Sequence, residues 1–395
     1  MKLDATRLSR IHKLADGHID EQNFASMAWR VSQNDVVLDE QCRGWFDYEQ
    51  QRPLDLTGIY RIYSMTKPVV AVRALQLVES GLLSLDAPVC RWIPAFERAK
   101  VLGSDGKHHS LQRHITIEDL MTHRAGLSYD FLGNCTIADM YREARFAEDG
   151  ERSLSDLVEA IANMPLAYQP GERWYYSYAC DVLAEVLVRL TGQTLDEQLH
   201  EHVFQPLGME NTGFSVPSDK VKNLVCMYGQ KALGEVPDRD ATTQELTPLN
   251  VDAAYPIEAS ANFVRGGHGL YSTLDDYSRF THVLMDGCSA DGQRLLSDAM
   301  LEMSWANRLS SAQMPIAISG VAYAGYGWNL TGRVMTDPGQ ALNLTVAGEG
   351  GWSGAAATQF WVDRANKISG VVMTQYLGSC LNLGGTIMGI AYGAS

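Results

Sequence analysis

The sequence predicts an α+β fold, in which an antiparallel sheet flanked by helices carries an inserted, mostly helical domain. Two observations lead there. Strand-like runs gather near both ends of the chain, at 24–41 and 325–374, while helical periodicity dominates between them. A sheet assembled from both termini makes 1–83 and 261–395 one α/β domain and 84–260 the insert. The 395 residues, 46% of them apolar, are ample for a large core.

The elements follow in order. Leu3, Leu8, Ile11 and Leu14 among polar neighbours predict an amphipathic helix over 3–16. Two strands, 24–31 and 36–41, flank Ser32-Gln33-Asn34-Asp35, whose residues suit a hairpin turn. Residues 43–58 read as mixed loop, and 59–63 as a short strand leading into Ser64. A strongly apolar helix starts near Ser64 and stops at Gly81. Pro68 then falls in its first turn, where a backbone N–H has no intrahelical partner to lose.

The insert reads as helices and long loops. Helical segments are expected at 117–121, 154–163, 179–190 and 194–204, ended respectively by Thr122 to Leu127, Pro165, Gly192 and Pro206. Pro170-Gly171 forms a turn, and 215–260 is polar and irregular. Glycine-dense 266–270 precedes an N-cap at Ser272-Thr273. The last third returns to strands at 325–330, 341–346, 357–362 and 368–374, with a final helix near 383–391.

Chemistry centres on Ser64-Met65-Thr66-Lys67. At i and i+3 on a helix the serine and lysine share one face, about a turn apart. A partly desolvated lysine can take a proton from a serine hydroxyl, and a helix N-terminus favours developing negative charge. Tyr176 is the candidate partner, since a tyrosine beside an ammonium can have its pKa lowered and relay the serine proton. Trp174 and Tyr175 read as packing residues. Gly350-Gly351-Trp352-Ser353-Gly354-Ala355 would let backbone amides approach a carbonyl oxygen.

Ser64-x-x-Lys67, Leu120 to Leu127, Pro170-Gly171 with Tyr176-Ser177, and Gly269 to Thr273 follow one another as in the serine β-lactamase-like superfamily. The chain resembles most the family VIII carboxylesterases, relatives of class C β-lactamases, from about residue 20 to its end. The resemblance implies a β-lactamase/transpeptidase-like fold. It also implies Ser64 as nucleophile, Lys67 and Tyr176 as the base pair, and the N–H groups of Ser64 and Ala355 as oxyanion hole. Trp352, Gly354 and Tyr178 would then line the substrate site. Two departures bear on the substrate. Tyr178 stands where class C enzymes have asparagine, and Trp352-Ser353-Gly354 stands in place of Lys-Thr-Gly. An indole offers no charge to a β-lactam carboxylate, so the expected activity is hydrolysis of short-chain carboxylic esters through an acyl-enzyme. The alternatives on the same machinery are a β-lactamase, a D-amino-acid peptidase or amidase, and an acyltransferase.

Other classes are disfavoured. A net charge of −15 argues against nucleic-acid binding. No apolar stretch reaches 18 residues, and the charged N-terminus has no secretory h-region, so neither membrane insertion nor export is expected. Seven scattered cysteines without Cys-x-x-Cys suggest free thiols and a cytoplasmic setting. His200-Glu201-His202 lacks zinc-helix spacing, His123 reads as bonded within its turn, and His268 as structural. No cofactor or metal is expected.

Overall fold

The structure, a computed structural model, describes residues 1–133, 135–229, 240–258 and 262–395. Its largest sheet has eight strands and is antiparallel at every pairing. Across the sheet they run Tyr326–Trp328, Arg333–Met335, Gly350–Ser353, Gln359–Asp363, Ile368–Met373, Ser26–Gln33, Val36–Asp47 and Arg52–Pro53. The seam between the two ends of the chain is the pairing of Ala28 with Met373 through Gln33 with Ile368. The boundary expected at 260–261 lies outside the described residues.

Strand alternation divides the core. Met27, Trp29, Val31, Trp361 and Val372 face Ala5–Asp20 and Leu383–Tyr392, the two terminal helices. Ala28, Phe360, Val362, Val371 and Met373 face the other way, into the larger core shared with Leu274–Asp286 and Thr66–Glu79. Thr66–Glu79 is buried along nearly its whole length, as expected of a helix apolar on all sides. It packs on Ala179–Thr191, Leu195–Leu199 and Asp298–Trp305.

Several expectations are corrected. The second hairpin strand runs on to Asp47, and Arg52–Pro53 pairs with it, so part of 43–58 is sheet rather than loop. The strand expected at 341–346 is loop. Its alternating Leu342 and Leu344 stand 84% and 61% exposed, so the alternation marks no buried strand face. The sheet position belongs instead to Arg333–Met335, whose arginine is buried against Glu349. The helix begun at Leu195 widens into a π-turn at His200–Phe204 and continues past Pro206 to Gly208, a left-handed C-cap. The helices Thr136–Glu143 and Asp298–Trp305 escaped the sequence reading.

Candidate active site

Ser64 is placed by hydrogen bonds on both sides. Ile59–Arg61 pairs antiparallel with Tyr271–Thr273, and the Ile62 N–H continues the ladder to the Leu270 carbonyl at 3.1 Å. Tyr63 then takes φ +43°, an unusual value for a bulky residue, and turns the chain abruptly. One 3₁₀ turn, Tyr63–Met65, carries Ser64 into the helix Thr66–Glu79. Pro68 thus lies in the first turn, as the sequence requires. The junction is pinned by Tyr277 Oη donating to the Met65 carbonyl (2.8 Å) and Leu270 N–H donating to Thr66 Oγ1 (3.1 Å). Ser64 itself stays partly exposed.

Lys67 Nζ donates to Ser64 Oγ at 2.9 Å and to the Gly267 carbonyl at 2.7 Å. It sits 4.7 Å from the Tyr176 ring centroid and 5.1 Å from that of Tyr129, over both faces. Burial lowers its pKa to about 8, while nearby Cys180 and Asp181 pull the other way. Deprotonation of Lys67 is therefore easier than that of a solvated lysine.

Tyr176 corrects one expectation. Its pKa is raised, not lowered: burial outweighs hydrogen bonds with Ser64 and Trp352. The ammonium lies over the ring face, and a buried phenolate has lost its water. Tyr176 is thus a phenol beside a serine, and Lys67 is the group poised to be neutral. Trp352, almost wholly buried, donates its indole N–H to Tyr176 Oη at 3.0 Å. Its place is on the strand Gly350–Ser353, which pairs with Arg333–Met335 only through Gly350 and Gly351.

The turn after that strand lies against the Ile62–Ser64 segment. A Cβ on Gly354 would come within 2.3 Å of the Ile62 carbonyl oxygen and 2.4 Å of Thr358 Oγ1. Only glycine lets this turn close on the Ile62–Ser64 segment, and exposed Ala355 follows directly. Gly354 therefore acts as a backbone spacer. Tyr178 is almost wholly buried. Its ring is tilted against Tyr129 at 4.3 Å, packs on Tyr141 and Phe146, and its hydroxyl hydrogen-bonds the Asp130 carboxyl within the larger core.

Two contributors, Tyr129 and Asp181, were not singled out in the sequence, and His123 was read only as a turn residue. His123, at φ +52°, packs 4.7 Å from the Tyr176 ring and 5.1 Å from Trp328, with Nδ1 3.4 Å from Ser177 Oγ rather than bonded in its own turn. Tyr129 walls Lys67. Asp181 accepts the Gly267 N–H at 3.1 Å. An acidic residue on the buried face of Ala179–Thr191, one turn before buried Glu185, was the available signal for the last. Trp174 packs as expected, stacked on Tyr176, and Tyr175 packs on Tyr168. Among the described residues, no group of three His, Cys, Asp or Glu side chains could hold a metal ion, and no helix is long and apolar enough to cross a membrane.

The chain was compared with known proteins. A family model described as Beta-lactamase matches residues 11–382. An uncharacterized protein of Mycobacterium tuberculosis is 32% identical over 372 residues, 92% of this chain and 87% of that one. Esterase EstB of Burkholderia gladioli is 30% identical over 379 residues, 94% of this chain and 91% of EstB. Among solved structures, EstCE1, described as a hydrolase with promiscuous acyltransferase activity, superposes with a TM-score of 0.81 at 25% identity, covering 98% of this chain and 99% of its own. With the fold and the extent of these matches, the chain belongs to the Beta-lactamase family.

Proposed function

We propose that the protein is a serine hydrolase of the family VIII carboxylesterase type, cleaving short-chain carboxylic esters through an acyl-enzyme on Ser64. The observation that carries this reading is the contact of Lys67 Nζ with Ser64 Oγ at 2.9 Å, beside a Tyr176 hydroxyl held by Trp352. In the first step neutral Lys67 accepts the Ser64 proton as Oγ bonds to the ester carbonyl carbon. The oxyanion lies toward the N–H groups of Ser64 and Ala355. As the tetrahedral species collapses, the bond to the alcohol oxygen breaks, and that oxygen takes the proton from Lys67 by way of Tyr176. Water then attacks the acyl carbonyl, delivers a proton to Lys67, and releases the acid with Ser64 restored.

Trp352 supports esters over β-lactams. Its N–H is committed to Tyr176, and its indole brings no charge for a substrate carboxylate. EstB, named an esterase, supports the same choice. A second reading, acyl transfer to an alcohol in place of water, is favoured by the description of EstCE1. The protein works in this reading as two lobes, 1–83 with 261–395 and the insert 84–260, in a cytoplasmic setting consistent with its seven unpaired cysteines.

The test is turnover of p-nitrophenyl acetate and butyrate by the native chain and Ser64→Ala, with nitrocefin and an added alcohol as comparisons. Ester turnover lost on the order of 10⁴-fold in the variant is expected. Equal activity in both proteins, or nitrocefin turnover exceeding ester turnover, would overturn the assignment.

A further inference from the structure

Asp181 lies in the first turn of Ala179–Thr191, wholly buried, and makes no ion pair among the described residues. Its Oδ1 accepts the N–H of Gly267 at 3.1 Å, and the carbonyl of that same residue accepts from Lys67 Nζ at 2.7 Å. The fit at Gly267 is tight. A Cβ there would stand 2.5 Å from Asp181 Oδ2 and 2.6 Å from Tyr129 Oη. Both of those polar atoms are buried without a hydrogen-bond partner. A carboxyl left half-satisfied in a dry interior is costly, so its presence calls for a task.

We infer that Asp181 is a positioning residue for the Ser64–Lys67 pair, fixing the Gly267 backbone that holds the lysine and setting by its charge when that lysine is free to accept a proton. The inference rests on the assignment of Ser64 and Lys67 above.

The surroundings define what the charge does. Lys67 faces the Ser64 hydroxyl, the rings of Tyr129 and Tyr176, and Cys180 and Asp181 from one helix. His123 and His268, both held well below the usual histidine range by burial, feel its field. Arg265 opposes Asp181 from the glycine-rich loop. Burial pushes the Asp181 carboxyl up, while Lys67 and the Gly267 N–H draw it back toward ionisation. An ionised Asp181 favours the ammonium form of Lys67 and so delays its release as pH rises.

Asp181→Asn separates the two roles, because an amide oxygen can still accept the Gly267 N–H but carries no charge. The experiment follows kcat/KM for p-nitrophenyl butyrate against pH in the native chain, Asp181→Asn and Asp181→Ala, with thermal melting to verify folding. The acid limb is expected to move to lower pH by about half a unit or more in Asp181→Asn, with the plateau kept within about fivefold. Asp181→Ala should show the same shift with a plateau at least about tenfold lower, since Gly267 then loses its acceptor. An unmoved limb in Asp181→Asn would overturn the inference, as a purely structural residue changes the plateau or the melt alone. Asp181→Ser, shorter and uncharged, should show the same limb shift and serves should the amide fail to fold. Ser64→Ala in the same assay keeps the failures apart. Full activity there overturns the site assignment, whereas an inactive Ser64→Ala with an unmoved limb overturns only the role of Asp181.

Discussion

Gly354→Ala adds one methyl group where the structure has no room for it. The new carbon would lie 2.3 Å from the Ile62 carbonyl oxygen, about 1.1 Å inside ordinary van der Waals contact. Thr358 Oγ1, at 2.4 Å, can rotate away, but the Ile62 oxygen belongs to backbone and already accepts the Met65 N–H across the turn that carries Ser64. Relief therefore has two routes. The turn at Gly354 and Ala355 retreats, or the Ile62–Ser64 segment does. Both separate the two amides assigned to the oxyanion. Misplacement on the order of 1 Å costs about 10²-fold in rate, similar to losing one oxyanion donor. Overpacking should cost about 1–3 kcal/mol of stability besides. The assay is kcat/KM with p-nitrophenyl butyrate at a temperature well below the variant's melting midpoint. Activity within threefold of the native chain would refute the placement of Ala355 against Ser64.

Three further outcomes follow from the same geometry. Lys67 must be neutral to accept a proton, and burial lowers its pKa to about 8, so kcat/KM should rise with pH to a half-maximum near that value; a flat profile from pH 6 to 9 would contradict it. Trp352→Phe keeps the ring but removes the donor to Tyr176, and kcat should fall about fivefold to tenfold with KM little changed, measured by steady-state kinetics. Glu349 pairs with buried Arg333 at 3.4 Å and accepts from Tyr326 Oη at 2.7 Å, so Glu349→Leu should cost about 3–5 kcal/mol by denaturant unfolding, with a loss under 1 kcal/mol counting against that pair.

Local chemistry explains what could be read from the sequence. The first hairpin was legible because Asn34 and Asp35 accept positive φ, and the Ala179 helix because Gly192 caps it left-handed. The Ser64 helix was legible because Pro68 fits only its first turn. Alternation misled at 341–346, since a period of two specifies a strand only when one face is buried, and Leu342 and Leu344 are exposed. Arg333 hid a central strand, because its charge is neutralised by Glu349, remote in sequence until the sheet forms. At the candidate site, the grouping of residues was legible and their electrostatics were not. Ser64, Lys67, Tyr176 and Trp352 meet in one place, yet the direction of the Tyr176 shift depends on its burial and on the lysine lying over the ring face. Asp181 was hard to place for the same reason, since it hydrogen-bonds the backbone of Gly267, 86 residues away, whose carbonyl holds Lys67.

The central claim is that Ser64 carries the acyl group. Acid quenching during turnover of a slowly deacylating ester, followed by peptide mass mapping, locates that group. An acyl mass on the peptide containing Ser64, absent from Ser64→Ala, is the expected result. Acylation at another residue, or continued ester hydrolysis by Ser64→Ala at the native rate, would contradict it.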